Sequence, residues 1–290
     1  MSISPGNHST SQPVNFSTNQ PINQSTSHLI SYTLHLADNA LILGHRNSEW
    51  TAHGPILEQD IAISNIALDL IGQSRYFYQY AAELINQYNK TASFSSPSGG
   101  GREGASEDDL AYLRDVLEFI NCLLVEQPNG DWAQTILRQF FFSAYQFFLY
   151  QQLQNCTDER LSAISEKSLK ETTYHLRWSG DWVIRLGDGT EESHERMLKA
   201  IDELWMFTGE LFENAPYEEA AFQNGFGVNV KELEALWKEK VTTVFEEATL
   251  PVPQTASFQK GGKTGLHSEH LGFILAEMQF LQRAYPNSKW

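Results

Sequence analysis

Apolar residues recur at helical spacing along most of the chain. Within residues 57–88, Ile63, Leu70, Phe77 and Leu84 follow one another at a regular interval. That interval is typical of a helix packed lengthwise in a bundle. By the same criterion, long helices are predicted over 57–88, 106–125, 132–155 and 157–187, with a shorter one over 29–43 and three more after Thr190.

Capping residues mark several of the helix ends. Ser106 is followed by three acidic residues, which favour the first turn of a helix through its dipole. Asp131 is predicted to be an N-cap, and Gln134 three residues later is expected to complete a capping box. Thr190 is predicted to cap a further long helix. Runs of alternating β-branched residues around a two-residue turn are absent. The sequence therefore predicts an all-α protein, a four-helix bundle with additional helices.

Two polar segments interrupt this pattern. Residues 1–27 are mostly Ser, Thr, Asn, Gln and Pro, a composition that buries too little apolar surface to offset chain entropy, so a disordered tail is expected. A second polar stretch at 91–107 is predicted to be a mobile insert. The remaining residues, 28–290, are predicted to form a single helical domain.

Composition narrows the classes of partner. The net charge of −16 argues against nucleic acid and against anionic membrane surfaces, because both require clustered Lys and Arg. Cys122 and Cys156 lie outside any CxxC motif and are interpreted as ordinary thiols of a reducing compartment. Neither a transmembrane run nor a signal-peptide pattern is visible, so a cytoplasmic location is expected.

A long helical bundle raises the question of a di-iron centre in its core. In such bundles two helices each give a Glu and two give Glu-x-x-His, all facing the bundle axis. The carboxylates bridge and neutralise the irons, while imidazoles complete the coordination. Residues 132–157 contain no Asp, Glu or His, and their middle reads FFFSAYQFFLY. An aromatic-filled segment of this kind is predicted to be buried and cannot supply a carboxylate.

The other helices offer an incomplete set of metal ligands. Asp69 lies near the middle of 57–88, and 106–125 offers Glu118 with Asn121 where a His would be needed. Glu171 and His175 are four apart in 157–187, on one helical face. These five positions are interpreted as a degenerate di-iron site, and Glu171 with His175 as a hydrogen-bonded or ionic pair. A metal site of the chain's own around Glu171 and His175 stays open as the alternative.

A second candidate site follows a glycine-rich loop near the C-terminus. Lys260 directly precedes GGKTG and Lys263 lies within it, and His267 and His270 come shortly afterwards at a helix start. Lysines on a flexible loop before a helix N-terminus can bind an anion such as phosphate. The loop is therefore a candidate contact for an anion or a partner protein, the alternative being an ordinary loop with a capped helix.

Four long runs carry a resemblance to a known family. They are LADNALILGHRNSEWTAHGPILEQDIAISNIALDLIGQSR, LLVEQPNGDWAQTILRQF, KETTYHLRWSGDWVIRLGDGT and GGKTGLHSEHLGFILAEMQFLQR. Together they resemble the C-subunit family of bacterial phenylacetyl-CoA 1,2-epoxidases, from about residue 32 to the C-terminus. The tail at 1–27 and the insert near 91–105 depart from the family pattern.

The resemblance implies a ferritin-like fold and a role without catalysis by this chain. In that family the di-iron centre lies in the catalytic A subunit, which epoxidises phenylacetyl-CoA with dioxygen and electrons from a flavin and iron–sulfur reductase. The C subunit is implied to hold no cofactor of its own and to pair with the A subunit as a structural partner. The expectation is a scaffold subunit, and the alternative is a ferritin-like metal-dependent oxygenase. A third possibility is a binding role for the loop at 260–270 toward coenzyme A or the reductase.

Overall fold

Long helices account for most of the computed structural model, which describes residues 21–93, 104–254, 257–285 and 288. The helices are α1 Pro21–Ser48, α2 Leu57–Ser93, α3 Glu107–Tyr112, α4 Leu123–Glu126, α5 Trp132–Leu153, α6 Glu159–Gly187, α7 Glu191–Leu204, α8 Pro216–Gln223, α9 Leu233–Glu247, α10 Glu269–Met278 and α11 Phe280–Ala284. Short 3₁₀ turns occur at Val116–Glu118, Trp205–Phe207, Gly209–Phe212, Val230–Glu232 and Gly262–Thr264. Within these ranges there is no β-strand, which confirms the all-α prediction.

Four long helices form the central bundle. Helix α1 packs along α2, α5 packs along α6, and α2 contacts α6. The apolar positions predicted to face the core of α2, among them Ile63, Leu70 and Phe77, are fully buried. Helices α7 and α9 cover α5 and α6, whereas α8 packs on α1. The prediction of a four-helix bundle with additional helices is therefore confirmed, although one of its four members was assigned wrongly.

The predicted caps of α5 and α7 are present. Asp131 accepts a hydrogen bond from the backbone nitrogen of Gln134 at 3.0 Å, and the Thr190 side chain accepts one from Ser193 N at 3.2 Å. At α5 the side chain of Gln134 lies beside Gly130. The capping box predicted with Gln134 is therefore not formed, and Asp131 alone caps α5.

The first helix is longer than predicted and is a full member of the bundle. It begins at Pro21, inside the segment expected to be a disordered tail, and a proline at the first helical position favours this start. It continues to Ser48, because the polar residues near its end have buried partners. Arg46 binds the carbonyl of Glu126, and Asn47 Nδ2 donates to Gln139 Oε1 at 2.6 Å. Residues 1–20 of the predicted tail lie outside the described residues.

The predicted helix at 106–125 is wrong. The segment forms α3, a 3₁₀ turn, an extended stretch and α4. Side chains of α1 bind the backbone N–H and C=O groups that would pair with each other inside a helix. Asp38 Oδ2 accepts from Ile120 N at 2.9 Å, and His35 Nδ1 lies 2.7 Å from the Ile120 carbonyl. Asn39 Oδ1 accepts from Cys122 N at 2.8 Å. These bonds satisfy the buried backbone and hold the segment open.

The structure describes both ends of the predicted polar insert. Residues 91–93 belong to α2, and residues 94–103 lie outside the described part. Ala105 is fixed by Asn86, whose side chain bonds both its backbone nitrogen and its carbonyl at 2.8 Å. Ser106 then caps α3 in a capping box with Asp109. Residues 105–107 at the end of the insert are therefore anchored.

Two further observations concern the thiols and the membrane. Cys122 is buried and Cys156 is half-buried, and both are free thiols. None of the helices in the described ranges combines the length and the apolar character needed to cross a bilayer.

Candidate functional site

The predicted residues on α2 and α6 meet where these two helices pack against each other. His175 Nε2 lies 3.0 Å from Asp69 Oδ2, and Gln73 Nε2 donates to Glu171 Oε2 at 3.0 Å. His175 is fully buried, whereas the Asp69 side chain keeps about 38% of its surface exposed. Glu171 and His175 each bind a residue of α2, so the interpretation of these two residues as one pair is wrong. Packing of α2 against α6 produces this crossed arrangement.

Neutral side chains from α5 and α1 complete the bundle centre. Tyr150 donates to Gln73 Oε1 at 3.5 Å and accepts from Gln146 Nε2 at 3.3 Å. Gln139, which accepts from α1, donates onward to Ser143 Oγ at 2.7 Å. Burial raises the pKa of Tyr150, so its hydroxyl stays protonated. On the side of α5 the centre of the bundle is lined by amides and hydroxyls.

Several aromatic residues of α5 face away from this centre. Phe141 packs against Trp237, with ring centroids 5.4 Å apart, and Tyr145 packs against Phe212 at 6.1 Å. Both partners lie in the outer layer that follows α6. Phe141 and Tyr145 therefore join the bundle to its outer helices, whereas Tyr150 stacks on Phe77 of α2 inside the bundle, with ring centroids 6.3 Å apart.

The donors at the bundle centre do not fit a di-iron site. The acidic residues near it are Asp69, which binds His175, and Glu171, which binds Gln73. The one acidic residue of α1, Asp38, is bound by Arg114. A di-iron site of the bundle type takes carboxylates from all four helices and an imidazole from two of them. Among the described residues no group of three or more His, Cys, Asp or Glu is arranged to hold a metal ion.

Glu118 and Asn121 belong to a different region. Glu118 is exposed and its carboxylate accepts from Asp115 N at 2.7 Å, which caps the 3₁₀ turn. Asn121 is buried and donates to Glu126 Oε2 at 2.9 Å. The structure thus joins Asp69, Glu171 and His175 through α2 and α6 but separates Glu118 and Asn121 from them, because the helix expected to carry these two does not form.

Lys263 is a buried residue and faces the protein interior. Its ammonium lies 3.0 Å from Glu218 Oε2 and 3.0 Å from the Glu213 carbonyl. Burial lowers the pKa of Lys263, but the Glu218 carboxylate prevails and the pKa is raised overall. Lys260 is exposed and pairs with Glu213 at 3.1 Å. The lysine expected to bind an external anion is therefore neutralised inside the protein.

His267 is also part of a buried pair. Its Nδ1 lies 2.8 Å from Glu126 Oε2, and its Nε2 lies 2.8 Å from the Phe119 carbonyl. Burial lowers the pKa of His267, but the hydrogen bond to Glu126 and its charge outweigh burial and raise it. The second oxygen of Glu126 accepts from Ser268 N at 2.7 Å. His270 lies half-buried in the first turn of α10.

A further buried carboxylate, Glu210, organises the glycine loop. It accepts from the backbone nitrogens of Leu123 at 2.7 Å and Gly261 at 2.8 Å. Gly262 has no room for a larger residue, since a Cβ there would lie 2.3 Å from a backbone oxygen of the extended stretch before α4. Five residues that hold the loop and the start of α10 will be called the C-terminal anchor: Glu126, Glu210, Glu218, Lys263 and His267. It fixes the C-terminal segment to the first half of the chain.

A second charged cluster lies beside α1 and is absent from the sequence predictions. The buried Asp38 carboxylate binds the guanidinium of Arg114 and accepts from the Tyr78 hydroxyl at 2.5 Å. Arg114 also stacks on Phe119, with 4.2 Å between the guanidinium carbon and the ring centroid. Asp38 stands among apolar residues in LHLADNALILGH, and an acid in that setting is the signal that would have marked it as buried and paired.

Two comparisons place these features in a family. Residues 15–290 match the family described as Phenylacetic acid catabolic protein, whose fold is ferritin-like. The chain is 46% identical over 262 residues to the C subunit of the 1,2-phenylacetyl-CoA epoxidase of Escherichia coli (strain K12). That alignment covers 90% of this chain and 99% of the relative. The ferritin-like prediction is confirmed.

Proposed function

The chain belongs to the phenylacetic acid catabolic protein family, and from that membership we propose that it is a non-catalytic structural subunit of a multicomponent phenylacetyl-CoA epoxidase. In this role it pairs with the di-iron catalytic A subunit and stabilises it. The flavin and iron–sulfur reductase then supplies electrons to the partner, and phenylacetyl-CoA is the substrate on which the partner acts. The complex acts in the cytoplasm, where aerobic phenylacetate degradation supplies the substrate.

The composition of the bundle centre carries this proposal. Residues on α5 that face the centre are Gln139, Ser143, Gln146 and Tyr150, none of which is a carboxylate or an imidazole. Oxygen activation by two irons needs charged ligands from every helix of the bundle, and burying them is costly unless each is bound. A protein with amides in their place avoids that cost, and its bundle can serve as a rigid support.

Coexpression with the catalytic partner tests the proposal. The pair should co-purify at physiological salt and elute as one species, with the iron in the catalytic partner after the two are separated. The catalytic partner expressed alone should be less soluble or less stable than in the pair. If this chain purifies free of the coexpressed catalytic partner, the proposal fails.

The alternative is an oxygenase with its own metal site around Glu171 and His175. The observation that favours it is the convergence of Asp69 and His175 at 3.0 Å, with Glu171 on the next turn. Metal analysis of the isolated chain separates the two functions. Near-stoichiometric iron that is lost in Glu171→Ala supports the oxygenase, whereas iron far below one per chain in both proteins supports the structural role.

A further inference from the structure

The C-terminal segment and the segment that follows α3 together expose a large apolar surface. Six leucine and phenylalanine side chains, each between 51% and 75% exposed, form what will be called the C-terminal patch: Leu113, Leu117, Leu266, Phe273, Phe280 and Leu281. Folded monomers seldom expose contiguous apolar patches of this size unless they bind something there. The patch is therefore a candidate interface.

Contacts between distant segments make the patch continuous. Leu117 lies against Gly265, the neighbour of Leu266, since a Cβ on Gly265 would be 2.6 Å from the Leu117 carbonyl. Arg283 of α11 donates to the Leu113 carbonyl at 3.2 Å. A groove of about 500 Å³ runs between the 115–116 turn and helices α10 and α11, with Phe280 at its edge. Such a groove can accept a protruding side chain of a partner.

The C-terminal anchor holds this patch in a fixed position. Lys263 and His267 are buried and ion-paired immediately before α10, and Gln279, between α10 and α11, donates to the Arg114 carbonyl at 2.9 Å. The apolar side chains therefore project from a rigid support, which lowers the entropic cost of binding. The buried ion pairs of Lys263 and His267 thus fix the C-terminal segment that carries these apolar side chains.

The exposed area matches what a stable protein interface requires. At roughly 200 Å² for a large side chain, the six exposed fractions amount to about 700 Å². Each partner in a stable complex contributes on the order of 800 Å². The C-terminal patch alone approaches that area, so its occupant is a folded protein surface rather than a small molecule.

The charges around the patch select between two kinds of occupant. Exposed carboxylates of Asp115, Glu118, Glu269 and Glu277 border it, and Arg283 is already paired with Asp115 at 2.8 Å. A second copy of the chain would bring acids against acids across a two-fold axis, which opposes association. A different protein with an apolar face bordered by Lys or Arg complements the patch.

We propose that the C-terminal patch is the surface on which this chain docks the catalytic partner of its complex, through an apolar helical face bordered by basic residues. This inference rests on the proposed function, since it names the interface of the pair proposed above. The patch supplies the apolar contact area, the groove receives an anchor residue, and the acidic border guides the encounter.

A double variant of the patch tests the proposal against a matched control. The variant carries Phe273→Ser and Phe280→Ser, and the control carries Phe222→Ser and Leu236→Ser, two single exposed apolar side chains on α8 and α9 that lie outside the patch. Each is coexpressed with the catalytic partner, and the affinity of the purified proteins is measured by titration. Circular dichroism and the thermal midpoint should match the unsubstituted chain in both.

The patch variant should bind at least roughly tenfold more weakly, as truncation of central anchors does, while the control should bind as the unsubstituted chain does. A separate variant with Glu269→Lys and Glu277→Lys should lower the association rate, most strongly at low salt.

If the unsubstituted chain binds the catalytic partner and the patch variant binds equally well, the docking surface is wrong and the proposed function stands. If the unsubstituted chain does not bind at all, the proposed function fails first. A homodimer of the lone chain that the patch variant dissociates identifies a second copy as the occupant and overturns the proposal.

Discussion

Replacing Lys263 by Met should destabilise the protein strongly. The Lys263 side chain is about 4% exposed and its ammonium lies 3.0 Å from Glu218, whose side chain is fully buried. His35 is the next cationic candidate near that carboxylate, with its Nε2 3.6 Å away, but burial lowers the pKa of His35. Removal of the lysine therefore leaves a buried carboxylate without a cation. A stranded buried charge of this kind costs about 3–5 kcal/mol.

Lys260→Met is the matched control for this substitution. Lys260 lies three residues earlier in the same loop and also pairs with a glutamate, Glu213, at 3.1 Å. Its side chain is 64% exposed and that of Glu213 is 55% exposed. A solvated pair of this kind contributes about 0–1 kcal/mol, so the same chemical change should have little effect here. The difference between the two variants isolates burial.

Urea unfolding of the purified chain, followed by circular dichroism, measures both free energies of unfolding. The double variant Lys263→Met with Glu218→Gln should recover part of the loss, because it removes the stranded charge along with its partner. Equal and small losses in Lys263→Met and Lys260→Met would refute the reasoning, since the buried pair would then have no larger effect than a surface pair. A double variant no more stable than Lys263→Met would show that the loss arises from packing.

Three further predictions concern the core, the glycine loop and pH. Phe141→Ala should lower the free energy of unfolding by about 3–5 kcal/mol, and the half-exposed Phe222→Ala by under about 1 kcal/mol; equal losses would argue against the aromatic contact with the outer helices. Gly262→Ala should lower the thermal midpoint, because its Cβ would meet a backbone oxygen at 2.3 Å, and an unchanged midpoint would contradict that contact. The pKa of His267 is raised in the folded chain, burial opposing and Glu126 prevailing, so its stabilisation is complete below the unfolded pKa and is lost as the pH rises through the folded pKa. The loss in free energy of unfolding caused by His267→Gln, measured by urea unfolding, should therefore be larger at about pH 6 than at about pH 9. A loss that does not change with pH would exclude the charged pair.

The positions of buried charge distinguish this chain from a bundle built to hold metal. Asp38 is bound by Arg114, Glu126 by His267 and Glu218 by Lys263, all in contact with segments outside the four long helices. Each acid is therefore neutralised by a side chain of the protein, as buried charges require. These ion pairs join the segment between α2 and α5, and the C-terminal segment, to α1 and α8.

Local signals in the sequence were sufficient for several elements. The boundaries of α5 follow from Asp131 and from a run of apolar residues, and α7 follows from Thr190, because capping involves only neighbouring residues. Asp69, Glu171 and His175 were found from their spacing on helices that do form. Spacing along a helix does not show which partner each of these side chains binds, because Gln73 binds Glu171 across two helices that are far apart in sequence.

Periodicity and capping, which act over a few residues, determined by sequence alone that the chain is all-helical and that its third long segment brings no metal ligand to the bundle. Tertiary structure decided which helices make the bundle, because α1 binds the backbone of residues 120–122 and so prevents the helix that their own pattern favours. It also decided that Lys263 faces a buried carboxylate instead of solvent. Both outcomes depend on contacts between residues more than forty positions apart, and the free energy of burying a polar group depends on the partner it meets there.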